Sequence, residues 1–214
     1  MKLEDLRRDY NQGDLNEEDL ATDPISQFKR WFADAEGAGL LEPNAMVLAT
    51  VDGEGQPFTR TVLLKNLDER GFVFYTNFES RKGQHIAANP RVSLIFTWLP
   101  LERQVSINGE AVRISTTESF KYFASRPLGS RLGAWTSPQS QVISSRSLLE
   151  AKLAEIRQKF ASGEVPIPSF WGGFRVIPKT AEFWQGRPSR LHDRFLYRQA
   201  EDSADGWTVA RLAP

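Results

Sequence analysis

Two hydrophobic periods run along this chain, and the switches between them mark its elements. Residues 1–22 are polar and charged with no apolar stripe, which predicts an N-terminal arm. Asp23-Pro24 pairs an N-cap residue with proline at the first helical position. Behind it Ile25, Phe28, Trp31, Phe32 and Ala35 recur at helical spacing as far as Gly37. That stripe reads as core.

From Ala45 the pattern becomes that of strands. Residues 45–51 are apolar with little alternation and predict a buried strand. A tight turn at 52–55 follows. Residues 60–65 and 71–76 read as two strands, and the polar stretch 66–71 between them as a hairpin connection. Ser80 is placed to cap a helix that stops before Asn89-Pro90. Residues 91–98 form another strand, broken by Pro100. Residues 103–108 and 110–114 flank Asn108-Gly109, a strong hairpin signal. Ser115 and Glu118 have capping-box spacing, at the head of a helix that ends near Arg126-Pro127. Residues 128–142 predict a short helix and then a loop. Ser147 and Glu150 repeat the capping spacing at the head of the longest helix, residues 144–160, with Leu149, Leu153, Ile156 and Phe160 as its buried stripe. Residues 170–177 and 180–185 read as two more strands, and 194–197 with 207–211 as a closing hairpin. Many antiparallel strands with interspersed helices predict a mainly β chain, a closed or split barrel with peripheral helices. No linker stands out, so residues 23–214 read as one domain behind the 1–22 arm.

Composition narrows the chemistry. The 214 residues are formally neutral, 40% hydrophobic and 25% charged, as in an ordinary globular protein. Charge balance gives no pull toward nucleic acid or membrane. Cys is absent and only His85 and His192 are present, which argues against disulfides, thiolate catalysis and a metal cage. No apolar run approaches a bilayer span, and the charged start carries no signal-peptide core. The expectation is a cytoplasmic protein without a metal.

Candidate chemistry gathers in three places. At the first, Arg81 and Lys82 follow Ser80 in the first turn of a helix, although cations are normally favoured at the other end. Backbone N–H groups, a hydroxyl and two cations suit a bound anion, most simply a phosphate. Arg60 and Lys65 precede them; five apart on an ideal strand, they would face opposite sides and serve two anions. Solvated surface charge is the competing reading. At the second, residues 187–194 hold three Arg and one of the two His between two strands. This is either a site loop or a basic turn in which Asp193 neutralises Arg194. At the third, Tyr122 and Arg126, four apart on a helix, and Ser130 could cradle a phosphate; a surface Tyr–Arg pair is the alternative. Gln104, Gln139 and Ser140 could read the polar edge of a heterocycle. No catalytic triad, Walker A loop or dinucleotide fingerprint is present, so a binding module stays open. An RNA binder also stays open, because Arg and aromatic residues interleave, although the neutral charge counts against it.

RTVLLK at 60–65, FYTNFESRK at 74–82, LERQV at 101–105, SRPLGSRLGAW at 125–135, FWGGFRV at 170–176 and FWQGRPSRLHDRF at 183–195 together resemble the pyridoxine (pyridoxamine) 5′-phosphate oxidase family. The resemblance runs from LRRDY near the N-terminus to the terminal RLAP. It implies a split-barrel flavoprotein, a homodimer with FMN in clefts between subunits. It implies oxidation of pyridoxine or pyridoxamine 5′-phosphate to pyridoxal 5′-phosphate by oxygen. Arg60, Tyr75, Thr76, Ser80, Arg81 and Lys82 match contacts to the FMN phosphate and ribityl chain. Gln104, Gln139, Ser140, Trp184 and Arg194 match the other flavin contacts, and Lys65, Tyr122, Arg126 and Ser130 the substrate-phosphate cradle. Arg190 and His192 match the residues beside the substrate ring. Arg7, Arg8 and Tyr10 match a segment that can close over the substrate. Another split-barrel flavoprotein and a non-catalytic carrier remain the rivals, and the RLHDR loop favours the oxidase.

Overall fold

The computed structural model describes residues 2–3, 9–161, 163–200 and 206–214. Its strands are β1 Ala45–Val51, β2 Pro57–Leu63, β3 Asn66–Asp68, β4 Gly71–Asn77, β5 Arg91–Trp98, β6 Arg103–Arg113, β7 Trp171–Gln185, β8 Asp193–Gln199 and β9 Trp207–Arg211. They form one sheet in the order β2-β1-β5-β6-β7-β4-β3, with β8 on β7 and β9 on β8. The two ends of that path, β2 and β3, are joined by Leu64 and Lys65 alone. The sheet must therefore curl back on itself, and the result is a half-barrel. Strand β7 supplies the split. One of its edges pairs with β6, and the other pairs with β4 through Trp171–Val176 and with β8 through Thr180–Gln185. The mainly β split barrel with peripheral helices is the architecture expected.

Five α-helices among the described residues decorate the sheet: α1 Pro24–Gly37, α2 Arg81–Ala88, α3 Thr116–Ser125, α4 Leu128–Thr136 and α5 Arg146–Lys159. The Asp23 side chain caps α1, accepting from the N–H groups of Ile25 and Ser26 at 2.9 Å each. The α1 stripe then fills the barrel: Phe28 is fully buried against the rings of Phe72 and Phe96, with centroids 5.0 and 4.7 Å away. Burial of one such ring contributes about 1.5–3 kcal/mol. A second core of Phe123, Leu132, Ile156, Val165 and Trp171 holds α3, α4 and α5 against the start of β7. Leading into α1, Leu15 is buried and its N–H donates to Asp193 Oδ2 at 3.2 Å, while Tyr197 Oη donates to the Ala21 carbonyl at 2.9 Å. No helix among the described residues is long and apolar enough to cross a membrane.

Several local expectations are corrected. Asn108-Gly109 lies inside the continuous strand β6, opposite a bulge at Lys179 of β7 where the register shifts. A Cβ on Gly109 would lie 2.0 Å from the Ile177 carbonyl oxygen, so glycine here serves a close strand approach. Residues 170–177 and 180–185 likewise belong to one strand, β7, and Pro178 is tolerated because it sits beside that bulge. The anticipated hairpin of residues 60–65 with 71–76 is replaced by β2 pairing with β1 and β3 pairing with β4. Strand β1 does alternate, with Met46, Leu48 and Thr50 buried and their neighbours half-buried. Ser145, not Ser147, caps α5, accepting from the Leu148 N–H at 3.3 Å. In α5, which equals α1 in length at 14 residues, only Ile156 of the expected stripe is fully buried.

Candidate functional site

A cavity of about 680 Å³ opens between β2, β4, the start of α2 and α4. Arg60, Lys65, Tyr75, Thr76, Lys82, Tyr122, Arg126, Ser130 and Gln139 all line it. The backbone explains the convergence. Ser80, buried, caps α2 by accepting from the Gly83 N–H at 3.4 Å. Gly83 lets the helix sit hard on β4, since a Cβ there would lie 2.1 Å from the Phe78 carbonyl oxygen. This fixes Lys82 with its Nζ 3.1 Å from Thr76 Oγ1 and 3.4 Å from both Ser80 Oγ and Gln139 Oε1. All three neighbours are uncharged. Burial, with Arg60 close by, lowers the Lys82 ammonium from 10.5 to about 8. Burial and Arg81 lower Arg60 in the same direction.

On the other wall Tyr75 and Tyr122 stack at 4.0 Å, with Trp171 behind Tyr75 at 5.4 Å. The Arg126 guanidinium lies 4.7 Å over the Trp171 ring, and its buried Nη1 has no hydrogen-bond partner among the described residues. Burial lowers Arg126 and raises both tyrosines. Four cations thus face one space, and none of the described residues lining it is a carboxylate. Such a set is completed by an anion.

Two readings of spacing change here. Arg60 and Lys65 line the same cavity instead of opposite faces, because β2 ends at Leu63 and its alternation does not reach Lys65. Arg126 lies just beyond α3, in extended backbone that Pro127 enforces, so it shares the cavity with Tyr122 but not a helix face. Arg81 is exposed, 5.7 Å over the Phe58 ring, and Ser140 is exposed at a positive φ of 72°. Neither lines the cavity.

Gln104, Trp184, Arg190, His192 and Arg194 gather elsewhere. Gln104 and Trp184 are register partners across β6 and β7. Trp184 packs against His192 at 4.6 Å and against Tyr10 at 5.8 Å. His192 Nδ1 accepts from the Arg187 N–H at 3.1 Å. Burial, then Arg190 and Arg194, lower His192 below the ordinary value. Arg190 is exposed, on a turn where it and Ser189 have φ of 62° and 56°. Arg194 pairs with Glu182 at 2.8 Å; Asp193, the partner expected from sequence, binds Arg211 at 2.7 Å instead. Arg7 and Arg8 lie outside the described residues.

Residues 32–160 match the family model for pyridoxamine 5′-phosphate oxidase, and residues 171–214 match the pyridoxine 5′-phosphate oxidase C-terminal dimerisation region. The chain belongs to the pyridoxine/pyridoxamine 5′-phosphate oxidase family. A pyridoxine/pyridoxamine 5′-phosphate oxidase from Rippkaea orientalis is 58% identical over the full length of both chains. One from Cupriavidus taiwanensis is 56% identical, covering 100% of this chain and 99% of that one. The solved structure of PhzG from Burkholderia lata, in complex with tetrahydrophenazine-1-carboxylic acid, matches with a TM-score of 0.86 at 30% identity, over 92% of this chain and 95% of that one.

Within this oxidase family fold, sequence reasoning missed Trp171, Asn77 and Ser137, which also line the cavity. Trp171 stood inside a quoted motif, FWGGFRV, but as an ordinary strand residue. Nothing local distinguishes it from core until the tyrosine stack and Arg126 close over it.

Proposed function

We propose that this chain is an FMN-dependent oxidase that converts pyridoxine 5′-phosphate and pyridoxamine 5′-phosphate to pyridoxal 5′-phosphate. Oxygen is the electron acceptor, hydrogen peroxide is released, and the amine substrate also yields ammonia. The carrying observation is the cavity, with Arg60, Lys65, Lys82 and Arg126 on its walls and no carboxylate among its described lining residues. A phosphate monoester carries about −1.5 to −2 charge at neutral pH, so two of them balance four cations. FMN brings one phosphate and the substrate the other. Both phosphates are received in one cavity, not on two faces of a strand.

FMN fits the residues present. Lys82, buried among neutral acceptors, and Arg60 receive its phosphate with Thr76, while Tyr75 and Gln139 meet the rest; Ser80 supports them from behind as the cap of α2, and Arg81 and Ser140 stay outside the cavity. Lys65, Tyr122, Arg126 and Ser130 clamp the substrate phosphate. The clamp turns the encounter into an effectively unimolecular one. FMN held by these residues would supply the redox chemistry, as hydride acceptor for the substrate C4′ carbon and electron donor to oxygen.

Gln104, Trp184, Arg190, His192 and Arg194 act from the partner subunit of a homodimer. Two observations support this: they do not line the cavity of their own chain, and four of them fall in the matched dimerisation region. Arg190, a permanent cation, stabilises charge on the C4′ substituent. His192 accepts at Nδ1 from Arg187, so its neutral ring carries the proton on Nε2 and donates there. His192 is therefore a hydrogen-bond donor to the substrate, not its base. Tyr10, against Trp184 and His192, belongs to the segment that covers the substrate. An arm at residues 1–22 ahead of one domain at 23–214, and a cytoplasmic location, are parts of the same reading; limited proteolysis and cell fractionation test them.

The test is product analysis on FMN-reconstituted protein. Pyridoxal 5′-phosphate and peroxide are expected in equal amounts from either substrate. A flavin-loaded protein that forms no aldehyde from either is a carrier, and the reading fails.

A further inference from the structure

His85 is buried, and none of the roles above uses it. It lies in the last turn of α2, whose first turn carries Arg81 and Lys82. Its Nδ1 lies 3.1 Å from Thr50 Oγ1, on β1. Thr50 is fully buried. The same hydroxyl accepts a 2.7 Å hydrogen bond from Arg60 Nη1, which also donates to the Leu48 carbonyl at 3.1 Å.

One assignment of donors and acceptors satisfies every polar group in this chain of contacts. A guanidinium can only donate, so Thr50 Oγ1 accepts from Arg60. Among the described residues, the hydroxyl's other polar contact is His85. The buried hydroxyl proton is then satisfied by donating to His85 Nδ1, with the neutral His85 ring carrying its own proton on Nε2. Successive hydrogen bonds of this kind polarise and strengthen one another in a buried setting. Arg60 has five N–H donors. The Nη1 contacts hold one end of the fork and leave the others for the cavity.

We propose that His85 is a positioning residue that acts through Thr50 to aim Arg60 at the phosphate of the flavin. The role rests on the functional reading above. Helix α2 then organises three cations as one unit: it carries Arg81 and Lys82 at its start and anchors Arg60 from its end. Phe58 completes the arrangement, with the His85 ring 4.9 Å and the Arg81 guanidinium 5.7 Å from its own ring.

The test compares FMN with riboflavin, which lacks the phosphate, by fluorescence titration of the full chain. His85→Leu and Thr50→Val each lower the ratio of FMN to riboflavin affinity about tenfold, the loss of one oriented charge-assisted contact. His85→Gln, whose carbonyl can still accept from Thr50, recovers most of it. The double variant Thr50→Val/His85→Leu falls no further than either single one. Should His85→Leu fail to fold, Thr50→Val carries the same comparison. Parallel loss of FMN and riboflavin affinity marks a merely structural role and overturns the proposal, as does additivity in the double variant. A wild-type protein that binds neither flavin overturns the functional reading itself.

Discussion

Replacing Lys82 with methionine separates what burying a cation costs from what the cation does. The ammonium is lowered from 10.5 to about 8, first by burial and then by Arg60. That drop corresponds to about 3 kcal/mol against the folded apoprotein at neutral pH, and water entering the open cavity reduces it to about 1.5–3 kcal/mol. Methionine keeps the length of the side chain without the charge. The groups that Lys82 touches keep other bonds, Thr76 Oγ1 donating to Gln139 Oε1 at 3.1 Å and Ser80 Oγ to the Asn77 carbonyl at 2.6 Å. The Lys82→Met apoprotein should therefore be more stable at pH 7, melting roughly 3–12 °C higher. The sign with pH follows from linkage. Between pH 8 and 10.5 the unfolded chain binds more protons at this site than the folded one, so wild-type stability rises with pH there. The gap between variant and wild type is full below pH 8 and closes toward pH 10.5. FMN affinity moves the other way, falling about 10- to 150-fold with the loss of a charge-assisted phosphate contact. Denaturation at pH 7 and pH 10, with FMN titration of both proteins, reads the two effects. A Lys82→Met apoprotein that is less stable and still binds FMN normally would refute the reasoning and make Lys82 a structural amine.

Arg126→Ala should weaken substrate binding about 10- to 150-fold while FMN affinity holds. Loss of FMN with substrate affinity intact would mean the two phosphate positions are exchanged. Arg190→Met should cut kcat strongly and leave FMN bound, as steady-state rates and flavin spectra will tell; near-normal turnover removes Arg190 from the chemistry. Protonation of His192 would break its bond from the Arg187 N–H, and its lowered proton affinity places the acid limb of the rate profile below the ordinary histidine value of about 6.5. His192→Asn should abolish that limb. The Arg187 side chain donates to the Gly13 carbonyl and pairs with Asp14, both at 3.3 Å. Arg187→Ala should cost less than about 1 kcal/mol yet speed proteolysis in residues 9–16, and unchanged cleavage there would deny it a latching role.

What could be read from sequence was what local chemistry decides. Ser80 as a cap with Arg81 and Lys82 behind it is a feature of three consecutive residues, and the helix formed as expected. So did α1, whose cap and stripe are local. The errors arose where a distant strand overrides a near signal. Asn108-Gly109 has the composition of a turn, but pairing with β7 along the whole of β6 outweighs it, and the glycine serves a close crossing instead. Arg60 and Lys65 were separated by strand alternation that ends at Leu63. They meet because the curled sheet returns β4 to the edge where β2 lies. The Thr50–His85 contact spans 35 residues and three elements, and no spacing rule reaches it. Trp171 and Arg126 come together only when α3 folds onto β7.

An anaerobic titration of the FMN-loaded protein with pyridoxine 5′-phosphate, followed in the flavin absorption band, tests the central claim most directly. The account predicts bleaching in proportion to added substrate, and full return of the band when air is admitted. A band that stays unbleached, with pyridoxamine 5′-phosphate equally inert, would contradict it.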